Sequence, residues 1–315
     1  RARRLLPASL FVLAATLALS MLLVGCGGGD AGDEAQGATA GNGPRATRLA
    51  AGDTLEVQLP QFTDPLLTGL TIPADAPTRG MWSATASWPL IGLHAALLPN
   101  GRVVSFGTPA GSAVQEGRTF DTWDPTLGFV AGSHRTTYNA SQPDSFCSSA
   151  TYTLDGRLLV AGGNWAFDSV SFDPATGGIT TLTSRLADER WYSSMITLAD
   201  GRPLVLGGSL PYPGGIYNDP VGAINGFIET ATTEIYEPGT GWRSLFGATS
   251  RDAFGPDFHR FWYPRSWVGP DGRVFGLSTE TMWRLDPAGN GSLTVLGKFK
   301  TGADPTTRPN VGPTS

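Results

Sequence analysis

Imidazole and thiol are scarce in this sequence: three His and two Cys in 315 residues. Each can therefore be judged singly. Charge is sparse as well, at 16% of residues, with a net charge of −5 that becomes −8 without Arg1, Arg3 and Arg4. No basic patch interrupts that balance, which excludes nucleic acid as an expected partner. Glycine and proline are abundant, with 42 Gly and 24 Pro, and nine Trp, seven Tyr and 15 Phe supply large apolar area. Gly and Pro punctuate the chain at short intervals and aromatics favour pleated surfaces, so short strands and tight turns are expected rather than helices.

The N-terminal segment has a composition of its own. Its first residue is Arg1 rather than Met, so the reading frame is expected to begin upstream. Three arginines precede an apolar run from Leu5 to Val24, interrupted only by Pro7, Ser9, Thr16 and Ser20. The run ends in Leu23-Val24-Gly25-Cys26 and continues as Gly27-Gly28-Gly29. That reads as the h-region of a signal peptide followed by a bacterial lipobox. A transmembrane anchor is the plain alternative, but the glycine run would continue a membrane helix poorly. Residues 1–26 are therefore expected to be a lipoprotein signal with Cys26 as the lipidation site. The protein is then an exported bacterial lipoprotein, facing the periplasm or cell surface and touching membrane through its lipid alone. Cys147 is left unpaired in an oxidising compartment, which needs an explanation beyond a small buried hydrophobe. Residues 27–75 are low in complexity and read as a flexible tether.

From about residue 76 to 315 the chain repeats. A turn followed by an apolar strand occurs at Pro99-Asn100-Gly101-Arg102, Leu154-Asp155-Gly156-Arg157, Ala199-Asp200-Gly201-Arg202 and Pro270-Asp271-Gly272-Arg273. Asn-Gly and Asp-Gly between apolar runs predict two-residue hairpin loops in which both central residues take positive φ. An acidic-Pro pair follows each strand after a second apolar segment: Asp124-Pro125, Asp173-Pro174, Glu237-Pro238 and Asp286-Pro287. The turn glycines are 55, 45 and 71 residues apart, the last interval holding a Gly- and Pro-rich insertion from Pro211 to Gly226. Paired repeats at such a period predict an all-β propeller of four-stranded blades, and the Gly-Gly pairs after the second strands give it a kelch pattern. An evenly spaced β-sandwich would lack the paired elements.

Three segments go beyond a generic blade. Trp88-Pro89-Leu90-Ile91-Gly92-Leu93-His94, Phe146-Cys147-Ser148-Ser149 and Arg190-Trp191-Tyr192-Ser193-Ser194 resemble successive parts of the bacterial galactose oxidase-like and glyoxal oxidase-like proteins, over roughly residues 80 to 315. The resemblance implies a copper radical oxidase that converts primary alcohols, aldehydes or carbohydrates with O2 into oxidised product and H2O2. It implies a thioether between Cys147 and Tyr192, with Tyr192 also a copper ligand. It further implies about seven blades, of which this chain would hold about four.

The same resemblance implies a Tyr-His pair and a later His as copper ligands, and no His here follows a Tyr. His94 reads as a packed strand residue, His134 as a loop residue and His259 as a neighbour of Arg260. The chain alone is therefore expected to bind copper weakly and to be inactive. Where relatives stack a Trp on the cross-linked Tyr, this sequence has Leu210, and Trp165 is a candidate substitute. Arg260 and Arg265 are candidates for substrate contact, with surface solvation as the plain alternative. The rival function is a non-catalytic kelch propeller that binds a glycan or protein partner at the cell surface.

Overall fold

The computed structural model describes residues 67, 69–138, 140–211, 229–256 and 260–298. Cys26, His259 and most of both the tether and the insertion before blade three's third strand lie outside them. Among the described residues, strands dominate. They form four antiparallel sheets of four consecutive strands each.

The first sheet contains β1 (Leu90–Leu97), β2 (Val103–Pro109), β3 (Thr119–Trp123) and β4 (His134–Tyr138). The second contains β5 (Ser149–Tyr152), β6 (Leu158–Ala161), β7 (Ser169–Phe172) and β8 (Ile179–Thr181). The third contains β9 (Ser194–Thr197), β10 (Pro203–Leu206), β11 (Thr233–Glu237) and β12 (Gly241–Leu245). The fourth contains β13 (Arg265–Val268), β14 (Val274–Ser278), β15 (Thr281–Asp286) and β16 (Ser292–Lys298). Every strand pairs with its sequence neighbours, and the first strands β5, β9 and β13 lie against one another in turn. These are propeller blades, with the first strand of each innermost.

The hairpin chemistry differs from the expectation. In all four blades only the turn glycine has positive φ, between 76° and 82°, and the Asn or Asp before it does not. Gly101 N–H donates to the Leu98 carbonyl at 2.9 Å, and Leu98 N–H donates to the Arg102 carbonyl at 2.7 Å. The same two bonds recur at Thr153/Gly156/Arg157, Leu198/Gly201/Arg202 and Gly269/Gly272/Arg273. This is a three-residue loop: a type I turn closed by a glycine bulge, rather than a two-residue mirror-image turn. Asn-Gly and Asp-Gly suit both, because a type I turn needs the left-handed residue only after its central pair.

The two repeated elements also meet. Arg102, which follows the first turn glycine, reaches the Asp124 carboxylate at 3.2 Å. Arg157 pairs with Asp173 at 3.0 Å, Arg202 with Glu237 at 3.3 Å and Arg273 with Asp286 at 2.9 Å. Each pair ties the first hairpin of a blade to the turn before its last strand. Their half-exposed settings make each worth little alone, about 0–1 kcal/mol.

Apolar side chains fill the spaces between blades. Val104, Phe106 and Phe120 of the first blade pack on Leu158, Val160, Val170 and Phe172 of the second. Phe106, Phe120 and Phe172 continue as a stack with centroids 4.9 and 5.9 Å apart. Leu204, Leu206, Ile235 and Leu245 of the third blade pack on Val274, Trp283 and Leu285 of the fourth, with Phe254 from the single-turn helix Arg251–Phe254. Trp283 is fully buried, and its indole N–H donates to Ser278 Oγ at 2.8 Å.

Gly162-Gly163 and Gly207-Gly208 end the second strands of blades two and three with φ of 78°, 96°, 59° and 94°. A Cβ on Gly162 would stand 2.1 Å from the Arg190 carbonyl oxygen, and one on Gly207 would stand 2.6 Å from the Phe261 carbonyl oxygen. The glycines let the segment leading into the next blade lie directly on the strand ends. Gly272→Ala imposes the left-handed penalty alone, because nothing lies within 4 Å of its missing Cβ. It is expected to cost about 1 kcal/mol. Gly162→Ala adds the backbone clash and is expected to cost at least ~2 kcal/mol more. Thermal or denaturant unfolding of the two variants checks the difference; equal costs would show that the close approach carries no constraint.

Candidate active site at the blade junctions

Blades two, three and four each begin with the same conformational anomaly. Two residues before the first strand stands a non-glycine residue in the left-handed region: Cys147 at φ 61°, Tyr192 at φ 58° and Tyr263 at φ 40°. Each precedes the turn glycine of its blade (Gly156, Gly201, Gly272) by nine residues. Side chains with a Cβ pay about 1–2 kcal/mol to sit there, and for a bulky residue the conformation is a true outlier. A chain of backbone hydrogen bonds holds it in place. Tyr192 N–H donates to the Cys147 carbonyl at 2.9 Å, and Tyr263 N–H donates to the Tyr192 carbonyl at 2.8 Å. Strain concentrated at one point of three successive repeats marks this point as the candidate site.

The Phe146-Cys147 segment is fixed by Asp144. Its Oδ1 accepts from Gly117 N–H at 2.7 Å and from Phe146 N–H at 3.1 Å. Its Oδ2 faces Arg118 at 3.4 Å and Asn164 at 3.3 Å. The Arg190-Trp191-Tyr192 segment is fixed by its arginine. Arg190 is fully buried, and its Nη1 donates to the Gly207 carbonyl at 2.8 Å. Its Nη2 donates to the Thr232 carbonyl at 2.6 Å and to Glu234 Oε1 at 2.8 Å. Glu234, 1% exposed, also accepts Ala187 N–H at 2.8 Å through Oε2. A buried, hydrogen-bonded ion pair thus lies two residues ahead of Tyr192 and anchors its loop to the third blade.

The side chains converge on one thiol. Cys147 is buried with Phe146 and Trp191, and the half-buried Tyr192 packs on that cluster. The Tyr192 ring lies 4.1 Å from Trp191, 5.3 Å from Trp262 and 5.0 Å from Tyr263, the last edge-on at 80°. Burial pushes the thiol up to about 11. The Tyr192 and Tyr263 side chains oppose that rise, and the Asp144 charge adds to it. Near neutral pH the group is therefore a protonated thiol beside two phenols.

The other residues considered from the sequence fall elsewhere. Trp165 is 44% exposed, with the Arg118 guanidinium 5.3 Å above its ring. Arg260 is buried and donates to the Asp252 carbonyl at 2.6 Å. Arg265 is exposed and opens β13, two residues beyond Tyr263. His94 stacks on Phe106 at 4.8 Å, and burial lowers its pKa to about 4. His134 Nδ1 lies 2.7 Å from Asp121 Oδ2 under the edge of Trp88, beside an open cleft of about 1040 Å³ that none of the three junction residues lines. Among the described residues no three His, Cys, Asp or Glu side chains group as a metal site.

Tyr263 and Trp262 were not singled out in the sequence. Their segment carries neither a Cys nor an Arg-Trp-Tyr motif, yet the nine-residue spacing to Gly272 gives Tyr263 its place.

The chain is 26% identical to galactose oxidase of Gibberella zeae over 240 residues, 71% of this chain and 32% of that protein. It is 40% identical over 75 residues to Art an 7 of Artemisia annua, named as a candidate aldehyde oxidase; the match covers 22% of this chain and 13% of that one. In structure it superimposes on a fungal alcohol oxidase of the AA5 family, solved in complex with copper, with a TM-score of 0.54 at 23% identity. That match covers 70% of this chain and 44% of the other, and it bears out the propeller fold. The chain thus spans about a third of the length of the galactose oxidase it matches. No family model matches the chain.

Two measurements check the geometry. Arg190→Met leaves the Glu234 side chain buried without its partner and is expected to cost about 3–5 kcal/mol, whereas Arg190→Met with Glu234→Leu should recover most of it. A double variant no more stable than the single one would assign the cost to lost carbonyl contacts instead. The ultraviolet thiolate signal of Cys147 in metal-free protein, taken as a difference from Cys147→Ser, should be small at pH 9.0, the ordinary thiol value, and reach half-height near 11.

Proposed function

The chain being galactose oxidase-like, we propose that it carries the redox-active pair of a copper radical oxidase acting on primary alcohols, aldehydes or carbohydrates. The observation that supports this most directly is the placement of Cys147 and Tyr192. They occupy equivalent positions of adjacent blades, joined by a backbone hydrogen bond, with Tyr192 packed on the cluster that holds the buried thiol.

The pair suits a cross-link. The Cys147 S–H and one ring C–H of Tyr192 are lost, a carbon–sulfur bond forms, and two electrons and two protons pass to O2, giving H2O2. The sulfur substituent then makes Tyr192 easier to oxidise by one electron. Oxidising R–CH2–OH to R–CHO removes two electrons, which O2 again carries away as H2O2. When bound, copper would supply the second one-electron centre.

The donor set fits copper in part. The Tyr192 phenolate oxygen is a ligand of the kind Cu(II) takes. His94 and His134 sit on the first blade, engaged with Phe106 and Asp121. The remaining donors are proposed to come from outside the described residues. Of the side chains considered for substrate, Arg265 is exposed beside the site, whereas Arg260 is engaged with the Asp252 carbonyl. Export and a lipid anchor at Cys26 belong to the same proposal, since an extracellular setting supplies O2 and disperses H2O2.

The decisive experiment is peptide mass analysis of the full-length protein after exposure to copper and air. Cys147 and Tyr192 should appear in one linked pair lacking two hydrogens. Cys147→Ser and Tyr192→Phe should keep the fold and lower peroxide formation on the order of 100-fold or more. A Cys147 that stays unlinked in copper-saturated protein would overturn this reading and favour a non-catalytic propeller.

A further inference from the structure

The four blades can be compared address by address, and the first departs from the rest at its outer edge. There Trp123 of β3 stands opposite His134 of β4. The same two places are held by Phe172 and Ile179 in the second blade, Tyr236 and Trp242 in the third, and Leu285 and Leu293 in the fourth. Two residues earlier on the third strand stand Asp121, Val170, Glu234 and Trp283, all buried. Blades two and four thus fill these places with apolar side chains, and Glu234 of blade three answers the buried Arg190. Blade one has a polar pair instead. His134 Nδ1 meets Asp121 Oδ2 at 2.7 Å, and Thr136 Oγ1 donates to Asp121 Oδ1 at 2.8 Å. Blades two and four show that the fold does not need this pair, and a fully buried carboxylate is costly to desolvate. Its effect is to fix an imidazole. With the Asp121 carboxylate as acceptor, Nδ1 carries the proton, and Nε2 is the nitrogen the ring can offer to a ligand as an acceptor.

That imidazole lines the open cleft of about 1040 Å³. Phe129 lines it too, 45% exposed, with one face stacked on Trp123 at 5.3 Å and its other face free of that contact. Trp88, also in the lining, is held edge-on to Trp123 and His134, and its indole N–H donates to Ser105 Oγ at 2.9 Å. Residues 83–87, a run of Ser, Ala and Thr, complete much of the wall. Among the described residues that line the cleft there is no Asp, Glu, Lys or Arg. We propose that this cleft is a binding site for neutral carbohydrate, separate from the Cys147–Tyr192 pair. A sugar ring lies on the face of Phe129, and one of its hydroxyls donates to His134 Nε2. An acidic polymer would find no fixed counter-charge here. A wholly apolar ligand would find an open trough with hydroxyls in its wall instead of an enclosed apolar pocket. A sugar carries C–H bonds on one face and hydroxyls around its rim, which suits an electron-rich ring face beside a fixed acceptor. The site holds a glycan and performs no chemistry on it.

The test titrates the full-length protein with neutral hexasaccharides of glucose, xylose, mannose and galactose, read by tryptophan fluorescence and by calorimetry. Polygalacturonate is the charged control. At least one neutral hexasaccharide should bind saturably, and more tightly than polygalacturonate. Phe129→Ala removes an exposed ring and should weaken that binding roughly tenfold. His134→Ile alone would strand the buried Asp121, so the second variant is Asp121→Val with His134→Ile, the side chains that the second blade carries at these places. It should keep the wild-type circular dichroism and bind on the order of tenfold more weakly, the effect of one lost hydrogen bond. Phe129→Ala carries the test by itself if the double variant does not fold. Linking of Cys147 to Tyr192 under copper and air should proceed alike in wild type and variants. Unchanged affinity in the variants overturns the proposal. So does preference for polygalacturonate, or the absence of saturable binding by any of the four hexasaccharides at millimolar concentration. Variants that lose sugar binding and linking together would show one site instead of two and overturn it as well. If the wild type never links, the oxidase reading fails, while the titration still decides whether the cleft takes sugar.

Discussion

A single backbone contact is passed from blade to blade: the N–H at the start of one inner strand donates to the carbonyl at the same point of the blade before it. Tyr192 meets Cys147 this way, and Tyr263 meets Tyr192. For the contact to form, the residue must turn left-handed, and the strand end of the preceding blade must carry no Cβ. The Gly-Gly pairs meet the second condition, with Gly163 and Gly208 N–H groups donating to the Arg190 and Phe261 carbonyls. Convergence of the three side chains is a consequence of that arrangement and requires no separate device.

The two loops that bear Cys147 and Tyr192 are stiffened by different chemistry. Asp144 gathers amide donors and so behaves like a capping carboxylate. Arg190 instead brings a full positive charge into the interior and finds its counter-charge on Glu234. A buried ion pair is weak evidence for stability, since desolvation offsets most of the attraction. Its value here is directional. The guanidinium can reach two carbonyls and one carboxylate together only when the loop before Tyr192 is in one position.

The blades were legible because turns repeat in sequence: four glycines and four acidic-Pro pairs mark strand ends whatever lies between them. Turn type was not legible, because Asn-Gly serves a mirror-image turn and a glycine bulge equally well. The Arg–carboxylate pair inside each blade was missed for a related reason, since both members looked like turn residues. Long-range partners left no local trace; Glu234 lies 44 residues beyond Arg190. Trp165 was a reasonable candidate for stacking from its place after Gly163, but its own neighbour is Arg118. Among the described residues, the aromatic neighbours of Tyr192 come from its own segment and from residues 262 and 263, which no motif marked.

Because Cys147, Tyr192 and Tyr263 share one position of a repeating unit, the site is written in a one-letter-per-blade alphabet. The blade supplies the address, and the residue standing there supplies the chemistry. Thiol, phenol and phenol stand there in this chain. A different triplet at the same three addresses would present other functional groups to the same point, without altering a turn, a strand or an inter-blade face. Diversification by exchange at these addresses is open to a propeller in a way that it is closed to folds whose functional residues sit at unrelated places along the chain.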